Sequence, residues 1–296
     1  MKGQKMPETN DLGAGQLYLV ATPIGNLEDL TYRAAKTLKK VEVIACEDTR
    51  VTGKLLNYFG IENKVLLSCH AHNEKERSEE ILGFLVEGKN VAFVSDAGTP
   101  GVSDPGAFLT KLALERGIVV VPIPGASAVT ALISVSALSS SAFCFYGFLP
   151  RKEAELRDVF RLAKLRSEPF LFYESPNRIL KSLQCLLEEA PESQLCLGRE
   201  MTKLYEEFFY GSPGELVERL KKKESIKGEF AGLISFQTKP QSEYNPLFEK
   251  PSFKTCLKVL CGKSGSLSKK EASKVLNDLL GVPTKTVYQA CLELDK

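Results

Sequence analysis

The chain is predicted to be an α/β protein with two α/β domains, a parallel sheet N-terminal and a mixed sheet C-terminal, plus a small helical C-terminal extension. Three observations predict this. Short apolar runs alternate with helical periodicity from residue 16 to about 125. Those runs are apolar throughout rather than at every second position, as strands buried on both faces are. After Pro124 strands follow one another with fewer helices between them, as in a mixed sheet.

The first strand is read in QLYLVATPIG (16–25). The helix LTYRAAKTLKKV (30–41) follows, with Leu30, Ala34, Ala35 and Leu38 at helical spacing. VEVIAC (41–46) is a strand, and TGKLLNYFG (52–60) is a short helix closed by Gly60. KVLLSC (64–69) and NVAFVS (90–95) are strands around the amphipathic helix EKERSEEILGFLVEGK (74–89). DPGAFLTKLALERG (104–117) reads as a helix with Asp104 as N-cap, Pro105 in the first turn and Gly117 as C-cap. IVVVPIPG (118–125) completes the first sheet. Beyond it come the helix 126–138, strand 142–150, helix 153–165, strand 169–175 and helix 177–190. Strands at 194–202, 205–211 and 229–236 follow, with the helix 214–223 between the last two. The domains expected are 14–125, 126–238 and 239–296. The last begins with a polar, proline-bearing linker at 238–252.

At 43% hydrophobic and 26% charged residues, the 296-residue chain has the balance of an ordinary soluble protein with a core. Net charge is +2, so any argument for an acidic partner rests on local patches. Eight cysteines form no C-x-x-C pair, and most sit in apolar stretches; a reducing cytoplasm is expected. No apolar h-region or membrane-length run is present, so no membrane is expected. The opening dozen residues are polar and expected to be disordered.

In open parallel sheets ligands bind outside the carboxyl ends of the strands. Here those ends carry the unusual loops. One rim collects Gly25, Asn26, Glu47, Asp48, Arg50, His70, His72, Asp96, Thr99 and Ser127, whereas loops at the opposite ends are plain. G-x-G-x-x-G, the P-loop and the G-x-S-x-G elbow are all absent, which counts against the ordinary NAD enzyme, ATPase and serine hydrolase. His70, His72 and Glu74 have metal-like spacing, yet two histidines on a polar loop fit hydrogen bonding or ligand contact better, and no metal is expected. The loop VSDAGTPGVSDPG (94–106) is rich in glycine and proline. Glycine allows close backbone approach, and a carboxylate suits a cationic ligand and repels a polyphosphate. That composition leans toward S-adenosylmethionine.

VSDAGTPGVSDPG, with LYLVATPIGNLEDLTYRA upstream and PIPGASAVTAL downstream, resembles the tetrapyrrole methylase superfamily. ACEDTR (45–50), HAHNE (70–74), GFLPRK (147–152), FYESPNRI (172–179), GREMTK (198–203) and KGEF (227–230) extend the likeness to the bacterial 16S ribosomal RNA 2′-O-methyltransferases of the ribosomal RNA small subunit methyltransferase I family. The resemblance spans roughly 16–236. It implies a tetrapyrrole methylase-like fold with S-adenosylmethionine held in the cleft between two α/β domains, and a homodimer. The implied partner is 16S rRNA or the 30S subunit, methylated at a cytidine 2′-hydroxyl of the decoding centre. It also places the donor against Asp96, Gly98, Thr99, Ser127 and Ala128, with Phe172 or Tyr173 and Ala231 from the second domain; Gly25 on the rim joins them. Asp96 and Ser127 also have purely local readings, as turn or helix caps.

A ribose hydroxyl is a weak acid, so a general base would help, and Glu47, Asp48, His70 and His72 are candidates. Arg50 beside Asp48 makes that carboxylate a poorer base, and orienting Arg50 toward a phosphate is the alternative role for Asp48. RNA contacts are expected from Arg50, from Arg151, Lys152 and Arg157 on the 153–165 helix and its approach, and from the tail. Residues 250–288 hold eight lysines, Lys269 and Lys270 among them, against two acidic residues. The tail reads as helix, Gly281 turn, helix, either an RNA arm or a dimerisation or packing module. A small-tetrapyrrole methyltransferase and a non-enzymatic RNA-binding protein are the competing readings.

Overall fold

The computed structural model describes residues 13–137, 142–166 and 168–236, together with Ser268, Lys270, Glu271 and Lys274. The polar N-terminal dozen, Lys269 and nearly all of the expected helical hairpin lie outside the described residues. Residues 1–237 and 238–296 form two compact units.

The first sheet contains β1 (Leu17–Val20), β2 (Val43–Cys46), β3 (Val65–Ser68), β4 (Val91–Val94) and β5 (Val120–Ile123) in the order β3-β2-β4-β1-β5, all parallel. Its helices are α1 (Tyr32–Lys40), α2 (Thr49–Tyr58), α3 (Glu74–Val86) and α4 (Ala107–Glu115). The apolar runs alternate between two cores. Tyr18, Val20, Ile44, Cys46, Ala92 and Val94 face Leu38 of α1 and Leu55 of α2. Leu17, Val43, Ala45, Val91 and Phe93 face Leu82 of α3 and Leu109 of α4. Burial on both faces is why the strands carry no polar alternation.

The second sheet has β6 (Cys144–Phe148), β7 (Phe170–Glu174), β8 (Gln194–Arg199), β9 (Glu207–Gly211) and β10 (Phe230–Ser235) in the order β6-β7-β10-β8-β9. Only β6 and β7 are parallel; the other pairs are antiparallel, so the sheet is mixed. The helices α6 (Glu153–Arg166), α7 (Ile179–Glu189) and α8 (Pro213–Lys221) cover one face, with Phe160, Leu183 and Leu216 against Phe170, Phe172 and Ile234. The helix α5 (Ala128–Val135) covers the other, with Val129 and Leu132 against Leu171, Cys196, Ala231 and Leu233.

Two helix starts differ from the sequence reading. The Asp48 side chain accepts from Arg50 N, so α2 begins at Thr49, three residues before TGKLL. The helix α4 begins at Ala107, and Asp104 is not its cap. Gly106 stands before it with φ 120°, and its N–H is taken by Glu74 Oε1 at 2.9 Å. A long-range carboxylate thus does what the local Asp-Pro pair was expected to do.

Candidate active site

The cavity of about 350 Å³ lies beyond the carboxyl ends of β1, β4 and β5 and extends to β7 and β10. The loop 95–106 forms one wall. Gly98, at φ 81°, exchanges two backbone hydrogen bonds with Thr22, 2.9 and 3.1 Å, which ties this loop to the one after β1. The Thr22 hydroxyl donates to Ser95 O at 3.0 Å. Gly98 and Thr99 then face the cavity, as do Ser127 and Ala128 at the start of α5 and Tyr173 and Ala231 on the second sheet. The Ser127 side chain makes no cap hydrogen bond with α5, so the helix does not use its hydroxyl.

The other candidates lie elsewhere. Asp96 is at the exposed rim, where its Oδ1 accepts Asp48 N at 3.0 Å. Gly25 sits outside the cavity, against the loop after β8: a Cβ there would lie 2.4 Å from Lys203 Cγ. Phe172 points into the core beneath the opposite face, while Tyr173 points at the cavity. Register explains the split, because Tyr173 pairs with Ala231 and Phe172 with Gly232, and opposed residues share a face. Residues given no site role by the sequence reading also line the cavity: Asp104, read there as a helix cap, and Ser103, Met201, Lys203 and Glu229. GREMTK and KGEF, which carry the last three, were legible only as matching stretches.

The carboxylates around the cavity differ in state. Asp48 is bidentate to Arg50, 3.0 Å to Nε and 2.6 Å to Nη2, which pulls its pKa down to about 2. Glu47 is shifted up by burial and then by the charge of Asp96. Asp104 is pushed up to about 6 by burial, with Glu47 and Asp96 adding repulsion. Burial and Asp104 raise Tyr173 to about 12, so this phenol stays protonated near neutrality. Lys203 is held by Glu200 and Glu229, each at 2.9 Å. His70 does not line the cavity. Its backbone N–H donates to Asn73 Oδ1 and its ring lies 6.0 Å from that of His72. Glu74 is occupied with Gly106, and among the described residues no group of three or more His, Cys, Asp or Glu is placed to hold a metal.

Residues 16–223 match the tetrapyrrole (corrin/porphyrin) methylases. A protein of Escherichia coli O157:H7 named ribosomal RNA small subunit methyltransferase I is 40% identical over 291 residues, 98% of this chain and 99% of its own. The chain belongs to the ribosomal RNA small subunit methyltransferase I family, and it is a methyltransferase. Another member, from Borrelia garinii, is 46% identical over 222 residues, 74% of this chain but 98% of its own. About a quarter of the present methyltransferase therefore has no counterpart there. A solved diphthine synthase has the same fold, with a TM-score of 0.61 at 15% identity over 76% of this chain and 91% of that one.

The expected RNA contacts of this methyltransferase separate by their partners. Arg50 is at the rim of the cavity with its side chain 85% exposed. Arg151 and Lys152 are exposed before α6, Lys152 paired with Glu155 at 2.9 Å. Arg157 is enclosed by Glu153, Glu188 and Glu189 at 2.5–3.2 Å, and Arg161 by Glu189 at 2.8 Å. The basic face of α6 is thus largely neutralised by acids of α7, which lie too far away in sequence for a local charge count to include. In the tail, Lys270 and Lys274 are exposed and helical in backbone, and the Ser268 hydroxyl accepts Glu271 N at 3.3 Å while Glu271 Oε2 accepts Ser268 N at 2.9 Å. No described helix is long and apolar enough to cross a membrane.

Proposed function

We propose that this methyltransferase uses S-adenosylmethionine to methylate the 2′-hydroxyl of a cytidine ribose at the decoding centre of 16S rRNA, as a cytoplasmic homodimer acting on the rRNA or the 30S subunit. The near-full-length identity to a protein named for small-subunit ribosomal RNA carries the reading. Cytidine, the 2′ position and the decoding centre rest on the family resemblance. The cavity fits the donor. Gly98, Thr99, Ser127 and Ala128 offer small side chains and close backbone, Tyr173 and Ala231 close the far side, and nearby carboxylates favour a cation. When bound, S-adenosylmethionine supplies an electrophilic methyl group on a sulfonium. The chain must hold the acceptor oxygen ~3 Å from that carbon, in line with the leaving sulfur, and keep water out.

The test is methyl transfer from labelled donor, without added metal, to 30S subunits, free 16S rRNA and a tetrapyrrole precursor. Label in either RNA supports the reading; label only in the macrocycle, or none, refutes it.

The tail's role is separable. Residues 238–296 form their own compact unit, and the Borrelia member lacks about a quarter of this chain. Deleting 239–296 should leave donor affinity unchanged in calorimetry and weaken RNA binding. The slope of log K against log salt should become shallower by ~0.7–0.9 for each phosphate that the shortened chain no longer neutralises. Charge removal at Lys269 and Lys270 together should reproduce part of this, independently of RNA sequence. An unchanged salt slope would make the tail a packing module and leave Arg50 and Arg151 as the basic contacts.

A further inference from the structure

Three carboxylates line the cavity: Asp104, Glu174 and Glu229. Glu174 has no side-chain exposure; it accepts from Ser182 Oγ at 2.7 Å and pairs with Arg178 at 3.2 Å. Glu229 is paired with Lys203. Asp104 alone among the three has no basic partner within the described residues. Outside the lining, Asp48 is spent on Arg50.

The backbone works to put Asp104 there. Ser103, a non-glycine residue, sits at φ 64°, and Gly101 N–H donates to Pro105 O at 2.9 Å across the turn. Gly106 follows at φ 120°, with Phe93 Cε1 3.1 Å from where a Cβ would be. A non-glycine residue in the left-handed region is strained and is kept where its surroundings enforce it. Because Glu74 caps α4, the Asp104 carboxylate is not consumed by the helix.

We propose that Asp104 is the general base of the reaction, taking the proton from the acceptor hydroxyl as its oxygen is methylated. This rests on the reading of the chain as a ribose 2′-O-methyltransferase. The hydroxyl oxygen forms the bond to the methyl carbon, the carbon–sulfur bond breaks with its electron pair left on sulfur, and the hydroxyl proton passes to the Asp104 carboxylate and then to water. The titratable groups facing Asp104 are Glu47 from the end of β2, Asp96 from the end of β4 and Tyr173 from β7. Burial first, and then the negative charges of Glu47 and Asp96, make it a stronger base than an ordinary aspartate, and with its pKa at about 6 it is still ionised at neutrality.

Two readouts on the full chain test this. Single-turnover methyl transfer to rRNA should rise with pH up to about 6 and level off above. Asp104→Asn should slow it ~10²–10⁴-fold and abolish that limb, with Asp104→Glu recovering part of the rate. Donor affinity is measured by calorimetry in Asp104→Asn and the transfer rates are compared at saturating donor, so that any weaker binding of the cationic donor does not enter the rate. In the protein without substrates, an infrared carboxyl titration should lose one group protonating near pH 6 in the same variant. Wild-type transfer with Asp104→Asn equally fast, or with the acid limb intact, would overturn the assignment alone. Wild-type protein that methylates no RNA would overturn the acceptor reading, and this assignment with it.

Discussion

Gly232→Ala is expected to lose about 3 kcal/mol of stability, the upper part of the range for an overpacked core. A Cβ at Gly232 would fall 2.2 Å from Phe172 Cζ and 2.4 and 2.9 Å from two more ring carbons. Neither side can yield easily. Gly232 is on β10, paired on both edges, and Phe172 is 1% exposed in the core under α6 and α7. The urea midpoint should fall with little change in slope. Phe172→Leu in the same protein should restore part of the loss, since the two residues share one space. An unchanged midpoint in Gly232→Ala would mean that the ring turns aside without cost.

The second large effect concerns the donor. Ala128 opens α5 and lines the cavity, so Ala128→Phe should put a ring where the donor is proposed to sit. Affinity for S-adenosylmethionine should drop about a thousandfold, about 4 kcal/mol. Melting should change little, because Ala128 is at a helix start and only half-buried, and Ala128→Ser should bind nearly as the parent does. Undiminished affinity in Ala128→Phe would place the donor elsewhere.

The residues explain how far reading the sequence could go. Continuous apolar runs in β2 and β4 announce burial on both faces, and the two cores flanking the first sheet are the reason. The rim loops were legible because glycine and polar residues cluster only at the carboxyl ends. What local patterns missed was decided by distant partners. Asp104 followed by proline has the pattern of a helix cap, yet Glu74, thirty-two positions from Gly106, takes that N–H and leaves Asp104 to the cavity. Arg157 and Arg161 look like a basic stripe until Glu188 and Glu189 are folded against them. The choice between Phe172 and Tyr173 was open without the register of β7 on β10; once Ala231 pairs with Tyr173, only the tyrosine shares its face. Gly25 belongs to the rim in sequence, but its missing Cβ makes room for Lys203 from the other half of the fold.

The central claim is that this chain places a methyl group on a ribose oxygen of 16S rRNA. Its most direct test is nucleoside mass mapping of 16S rRNA after incubation of 30S subunits with the purified protein and S-adenosylmethionine. The account predicts one new 2′-O-methylcytidine, at the decoding centre, with the adjacent phosphodiester resistant to alkali. A methyl group on a base, or rRNA with no added methyl group under conditions where the donor is bound, would contradict it.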